Sequence, residues 1–207
     1  IIFNQNYKKM TKLSICIPTY NRANYLSLLI DSIINQANGN NRDDIQICVS
    51  DNCSNDNTKS LIEHFAKEGK VEIVLNINEK NIGPDLNYLK SIEIASGEYC
   101  WLMGSDDIIK EGALNLILTE IEKQSEIAIF LANRIDCDKD MIFFHNKKWL
   151  KNDIKDIVID FNFNKDIIYY LNQCDSIGGV FSYLSSIIVK RDDWKKIEYD
   201  DSFTGTA

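Results

Sequence analysis

Leu13-Ser-Ile-Cys-Ile-Pro-Thr-Tyr-Asn-Arg22 decides the fold. It opens as a short apolar run, stops that run at Pro18, and passes into Asn24–Gln36, where Tyr25, Leu28, Leu29, Ile33 and Ile34 recur at helical spacing. A short run without polar alternation is what a strand buried on both faces needs, and such strands belong to parallel sheets. A parallel neighbour can be reached only by a crossover, usually a helix, so further strand–helix units must follow.

The chain supplies them. Ile45–Ser50 reads as a second strand, and Asn57 as the cap of a helix through Lys67 with Leu61, Ile62 and Phe65 inward. Val71–Asn76 reads as a third strand. Pro84 suits the first turn of a helix running to about Ala95. Tyr99–Met103 follows as a fourth strand, Glu111–Lys123 as a helix and Ile127–Ala132 as a fifth strand. The pattern predicts an α/β fold: a mostly parallel, Rossmann-like central sheet flanked by helices through right-handed crossovers.

Beyond about Asp136 the pattern loosens. Met141–His145 reads as a strand, Lys165–Asn172 as a helix with Ile167, Ile168 and Leu171 inward, and Tyr183–Lys190 as a late strand. A short helix near Asp193–Lys196, capped by Asp192, comes last. The expected organisation is one domain over 1–207, with a ligand-binding half at 12–135 and a partial second half at 136–207.

Composition narrows the function. A formal charge of −8 argues against nucleic acid as the main partner, since phosphate backbones need a basic stripe. A bound anionic substrate would have to be held by a local device such as a metal ion or a helix N-terminus. The six cysteines form no C-x-x-C pair, which disfavours zinc, and Cys16, Cys48 and Cys100 lie in strand-like runs as buried reduced thiols, pointing to the cytoplasm. Neither a signal peptide nor an apolar run of membrane-spanning length is visible. Lys8, Lys9 and Lys12 read first as a solvated terminus and secondly as a contact with an anionic membrane surface.

Ligands of open α/β sheets bind beyond the carboxyl ends of the strands, so the segments after strands one, two and four should converge. The first is Pro18-Thr19-Tyr20-Asn21-Arg22, where Tyr20 can stack on a base and Arg22 can pair with a phosphate. An ordinary turn with Asn21 or Asn24 as helix cap explains the same residues. The second is Ser50-Asp-Asn-Cys-Ser-Asn-Asp-Asn-Thr58. Asp56 and Asn57 read as local turn and cap, whereas Asp51 and Asn52 lie too far from the helix for that, and Asp51 can accept a hydrogen bond from a base. The third is Tyr99-Cys-Trp-Leu-Met-Gly-Ser-Asp-Asp107. Adjacent Asp106 and Asp107 repel unless a cation or solvent separates them, and oxygen ligands of this kind suit Mg²⁺ or Mn²⁺ shared with substrate phosphates. Capping of the helix near Glu111 is the competing explanation. A fourth segment, Asn81-Ile-Gly83-Pro-Asp-Leu-Asn87, can bring Asn81 and Asn87 to the crevice, with Gly83 permitting a tight turn and a close backbone approach. His64 and His145 have no third ligand near them in sequence and read as structural.

In this order and at these separations, the four segments resemble the inverting family 2 glycosyltransferases of the GT-A fold. Leu13–Arg22 looks like that family's opening strand, Val49–Thr58 like its second motif, and Asn81–Gly83 with Gly97–Asp107 like its approach to the metal-binding motif. The resemblance covers about residues 12 to 124. A weaker stretch at 180–203, through Phe181, Ser185, Ile188, Arg191 and Trp194, is similar to the abequosyltransferase-like branch of bacterial surface-polysaccharide synthesis. The resemblance implies a nucleotide-diphosphate sugar as donor and a saccharide or lipid-linked molecule as acceptor. It implies work in the cytoplasm, at the inner face of the membrane where the contact is peripheral. Donor binding would fall to Pro18, Thr19, Tyr20, Asn21, Arg22, Asp51, Asn52, Asn81, Gly83, Ser105 and Asp106, with Mg²⁺ or Mn²⁺ on Asp106 and Asp107. Asp51 would contact the nucleobase.

Two departures stand out. The family's motif has an acid two residues before Asp106, where this chain has Gly104, and Ser105 is no acid either. The family's catalytic base lies after a segment like Asp201–Ala207, so the base is expected beyond Ala207. Asp175, Asp200 and Asp201 are the weaker candidates within the chain, and Gly178-Gly179 is an acceptor loop or a plain turn. A non-catalytic nucleotide- or glycan-binding module is therefore the alternative. A nucleotidyltransferase fits less well, because the first loop is neither Gly-rich nor strongly basic.

Overall fold

The computed structural model describes residues 10–37, 39–138, 143–148, 158–159, 164–174, 183–200 and 202. They gather in two compact units, one within 1–130 and 188–207, the other within 131–187. The first unit alternates β1 (Leu13–Thr19), α1 (Ala23–Ile34), β2 (Ile45–Asp51), α2 (Thr58–Glu68), β3 (Glu72–Ile77), α3 (Pro84–Glu93), β4 (Tyr99–Leu102) and α4 (Ala113–Lys123), and reaches β5 (Ile129–Leu131). The second holds β6 (Ile135–Cys137), β7 (Phe143–Lys148) and α5 (Asn164–Leu171). The chain then forms β8 (Ile187–Lys190) and α6 (Arg191–Trp194).

The main sheet has the order β3-β2-β1-β4-β8-β5, and β6 pairs with β7 separately. β1 runs parallel to β2 from Leu13↔Ile45 to Thr19↔Asp51, and parallel to β4 from Leu13↔Tyr99 to Cys16↔Leu102. Every residue of β1, β2 and β4 is buried, which is why these strands read as apolar runs rather than alternations. The sheet winds outward in both directions from β1, so the crevice at the strands' carboxyl ends opens between β1 and β4. Cys16, Cys48 and Cys100 sit buried as free thiols at its centre. No helix among the described residues is long and apolar enough to cross a membrane.

Several expectations are corrected. β8 lies antiparallel between β4 and the fifth strand, where the sequence suggested a late strand without a place. That strand starts at Ile187, because Leu184–Ser186 closes a 3₁₀ turn with the Ser186 N–H on the Tyr183 carbonyl. In α1 the inward stripe is Leu26, Leu29, Ile30, Ile33 and Ile34, while Tyr25 and Leu28 face solvent. Two overlapping apolar tracks fit the helical period there, and the wider aliphatic one wins the core. In α5, Tyr170 is buried and Ile167, Ile168 and Leu171 are exposed; a short helix apolar on several sides has no unique stripe. Asp192 lies inside α6 and does not cap it. The expected strand at Met141–His145 is seen as Phe143–Lys148, with Met141 outside the described residues.

Candidate functional site

β1 and β2 end side by side, at Thr19 and Asp51. The Asn52 N–H donates to the Thr19 carbonyl at 2.9 Å, continuing the ladder past the strands. The loops beyond are then stitched together. Asn21 N–H donates to Ser54 Oγ at 2.8 Å, and Asn55 N–H donates to Asn21 Oδ1 at 2.9 Å. Asn21 holds this position with φ of 53°, a left-handed conformation that Asn tolerates. It is thus a loop clasp and not a cap of α1.

The first N–H of α1, from Ala23, is taken instead by Asp56 Oδ2 at 3.1 Å. The other oxygen of Asp56 accepts the Thr58 N–H at 3.0 Å and the Thr58 hydroxyl at 2.5 Å. One carboxylate therefore serves the starts of α1 and α2 together. Asn57 occupies the cap position of α2 but makes no side-chain cap bond. Burial pushes the Asp56 pKa up, but the Thr58 hydroxyl and the Ala23 and Thr58 N–H groups outweigh it and hold the carboxyl below its usual value.

Asp51 is 1% exposed. Its Oδ1 accepts the N–H and hydroxyl of Ser54, at 3.1 and 2.5 Å. Asn52 is fully engaged: Nδ2 donates to Asn81 Oδ1 and the Gly83 carbonyl, and Oδ1 accepts from Ile82 N–H and Asn78 Nδ2. Asn81 Oδ1 also accepts the Gly83 N–H at 2.9 Å. Asn52 and Asn81 thus fix the Asn81–Gly83 turn against β2. Gly83 is required for its φ of 87°, and not for close approach, since a Cβ there would meet nothing within 4 Å.

Beneath this turn lies a network that the sequence did not reveal. Asn87, on α3 and 2% exposed, donates to the carbonyls of Ser50 and Thr19 at 2.9 and 3.4 Å. Its Oδ1 accepts from Ser50 Oγ and Asn78 Nδ2, while Asn76 reaches Ser50 Oγ and Asn78 Oδ1. The carboxyl ends of β1 and β2 are therefore tied to one helix. Thr19 Oγ1, at the end of β1, is buried without a hydrogen-bond partner.

The loop after β4 completes the rim. Ser105 is buried and Asp106 exposed, and Arg22 Nη1 meets Asp106 Oδ2 at 2.6 Å across the crevice between β1 and β4. Asp107 folds back, its Oδ2 accepting the Gly104 N–H at 3.1 Å. A Cβ on Gly104 would lie 2.6 Å from Asp107 Oδ2 and 3.1 Å from Asp106 Oδ1. Both carboxylates thus converge on the space a side chain at 104 would occupy. α4 begins at Ala113 behind Gly112, so neither acid caps it. Among the described residues no cluster of three His, Cys, Asp or Glu side chains forms, so a cation here would take its remaining ligands from phosphate and water. The two converging hard oxygens, Asp106 Oδ1 and Asp107 Oδ2, fit a divalent cation, and the guanidinium on Asp106 Oδ2 shows that this carboxylate already attracts positive charge.

Tyr88, half-buried on α3, is a further member that sequence reasoning missed. Burial first, then the charges of Asp107 and Asp106, raise its pKa to about 12, with Arg22 opposing. Its phenol is a hydrogen-bond donor at neutral pH and no base. Only its place one residue beyond Asn87 hinted at it. His64 is exposed beside Glu68 at 3.4 Å, away from these loops in sequence and bonding. Asp200 Oδ1 accepts the Ser202 N–H; Asp175, Asp201, Gly178 and Gly179 lie outside the described residues.

Comparison with known proteins bears on the family and the fold. The profile described as "Glycosyl transferase family 2" matches residues 14–190. Abequosyltransferase RfbV of Salmonella typhimurium is 43% identical over 94% of this chain and 57% of its own length. A GalNAc(5)-diNAcBac-PP-undecaprenol beta-1,3-glucosyltransferase of Campylobacter jejuni is 37% identical over 53% of this chain and 34% of its own. The chain thus spans about half or less of the length of these relatives. Among solved structures, S. aureus TarS 1-349 in complex with UDP superposes with a TM-score of 0.66 at 20% identity, covering 94% of this chain and 52% of that one. Mannosyltransferase PcManGT from Pyrobaculum calidifontis, in complex with GDP-Man and Mn²⁺, gives a TM-score of 0.51 at 19% identity, covering 60% and 36%. The structural likeness shows the GT-A sheet, and the family profile together with the relatives shows the lineage: this chain belongs to glycosyl transferase family 2.

Proposed function

We propose that this chain is the donor-binding part of a glycosyltransferase that moves a sugar, with inversion, from a nucleotide-diphosphate sugar to a saccharide or lipid-linked acceptor in bacterial surface-glycan synthesis. The observation that carries the proposal is the meeting of the loops after β1, β2 and β4: Asn21 clasps Ser54 and Asn55, and Arg22 pairs with Asp106. Support comes from relatives named for such transfers and from structural neighbours holding UDP and GDP-Man. Asp51, buried and with Oδ1 held by Ser54, would meet the base through its other oxygen, and Tyr20, exposed at the same rim, offers a stacking face. Thr19 contributes an unpaired buried hydroxyl beside Pro18. Arg22 faces the diphosphate, with Asn21 fixing the loop. Asn52, Asn81 and Gly83 shape the pocket wall, and Ser105 sets the approach to Asp106.

Mg²⁺ or Mn²⁺ would be held by Asp106 and Asp107, and when bound it supplies countercharge to the departing diphosphate. The acceptor hydroxyl oxygen bonds to the anomeric carbon as the bond to the diphosphate oxygen breaks, and its proton goes to a general base. The work is placed in the cytoplasm, with peripheral contact at the inner face of the membrane. Calorimetry with Mn²⁺ and a panel of nucleotide sugars, followed by slow donor hydrolysis, tests the reading. Binding should require metal and be lost in Asp106→Ala, and Asp51→Ala should weaken binding more than folding. Metal-independent binding unchanged in Asp106→Ala would remove the reading. Metal-dependent binding without turnover over varied acceptors, even in a chain of the relatives' full length, would favour a binding module of the same fold.

A further inference from the structure

We propose that Arg22 is a placeholder for the cation at Asp106, so that the divalent metal and the nucleoside diphosphate enter together and each favours the other. The inference rests on the donor-site reading above and adds to it an order imposed by one side chain.

The Arg22–Asp106 pair joins residues 84 apart in sequence at 2.6 Å, with side chains 50% and 51% exposed. Of the two Asp106 oxygens, Oδ2 holds the guanidinium, while Oδ1 leans with Asp107 Oδ2 over Gly104. A cation seated on these carboxylates shares Asp106 with Arg22 and meets a like charge beside it. Metal arriving alone must therefore either bind beside the guanidinium or displace it and leave it without an anion, and both lower its affinity. An exposed pair of this kind is weak, so the guanidinium biases the site without closing it. A diphosphate changes the balance. Its oxygens match the planar fork of Arg better than one carboxylate oxygen does. Arg22 then turns to the phosphates and Asp106 is released for the cation.

Linkage requires the effect to be reciprocal: whatever factor the diphosphate adds to metal affinity, the metal adds to diphosphate affinity. This coupling through Arg22 is separate from any direct bridge between metal and phosphate, and only the former depends on the side chain. Arg22 is half exposed and its backbone, not its side chain, begins α1, so replacing it leaves the fold intact.

Mn²⁺ binding followed by the electron paramagnetic resonance of the free ion, in wild type, Arg22→Gln and Arg22→Lys, tests the proposal. Each protein is titrated with Mn²⁺ alone and again with UDP, GDP, CDP, ADP or dTDP, with urea midpoints as the folding control. In Arg22→Gln, Mn²⁺ alone should bind roughly three- to tenfold tighter, and the gain on adding the diphosphate should shrink by a similar factor. Arg22→Lys, a point charge without the fork, should lie between. An unchanged or weaker Mn²⁺ affinity in Arg22→Gln, with the diphosphate's gain equal to wild type, overturns the placeholder and leaves the donor site standing. A wild type that gains nothing from any diphosphate overturns the donor-site reading and the coupling with it.

Discussion

Asp56 looks like an ordinary turn residue, yet its carboxylate joins two helix starts. Thr58 N–H and Ala23 N–H both need an acceptor, and both sit at the positive end of a helix. Asp56→Ala should cost about 1–2 kcal/mol at pH 7, in the range of a lost cap, whereas Asn57→Ala should cost within about 0.5 kcal/mol because that side chain caps nothing. The folded pKa of Asp56 lies below its unfolded value, so its contribution is complete above the unfolded pKa and fades as pH falls through the folded one. The gap between wild type and Asp56→Ala in urea unfolding should therefore narrow below about pH 4. An equal gap at pH 3 and pH 7 would show that the charge is not the source.

At the scale of elements, α3 acts as a clamp. Asn87 satisfies two strand-end carbonyls and one hydroxyl that no water-facing group replaces. Asn87→Ala should destabilise the protein by about 2–4 kcal/mol in urea unfolding, because buried groups of Ser50 lose their partner. A loss below about 1 kcal/mol would mean that the strand ends are held without it. This clamp also marks where sequence legibility stops. β1, β2 and β4 were readable because full burial leaves an apolar run, and the polar segments behind them because strand ends must carry polar residues. Asn76, Asn78 and Tyr88 were not, since an Asn in a strand or a Tyr in a helix carries no local signal of a bond made across the sheet, and Asn87, expected at the crevice, is instead buried on the strand-end carbonyls. The antiparallel place of β8 was hidden for the same reason: four residues, Ile187–Lys190, choose a partner 87 or more positions away through non-local pairing alone. Gly104 was seen as a missing acid, but only coordinates show Asp107 folded into its space.

For the whole molecule, the formal charge of −8 sets the problem that the site has to solve. An acidic protein repels a diphosphate at long range, so capture must come from charges within a Debye length, which here are Arg22 and a cation on Asp106 and Asp107. All of these lie within 1–130, inside one compact unit, and the chain's second unit, 131–187, contributes none of them. Binding energy should therefore appear as stability in that first unit. Mn²⁺ with a diphosphate at 100 times its dissociation constant adds about 2.7 kcal/mol. For a protein of this size that corresponds to roughly 5–10 °C in Tm, measured by differential scanning fluorimetry. Hydrogen exchange should slow in the loops after β1, β2 and β4 and stay unchanged in β6 and β7. Protection spread evenly through β6 and β7 would mean that the donor is gripped by both units, and the site as drawn from Asp51, Arg22 and Asp106 would be incomplete.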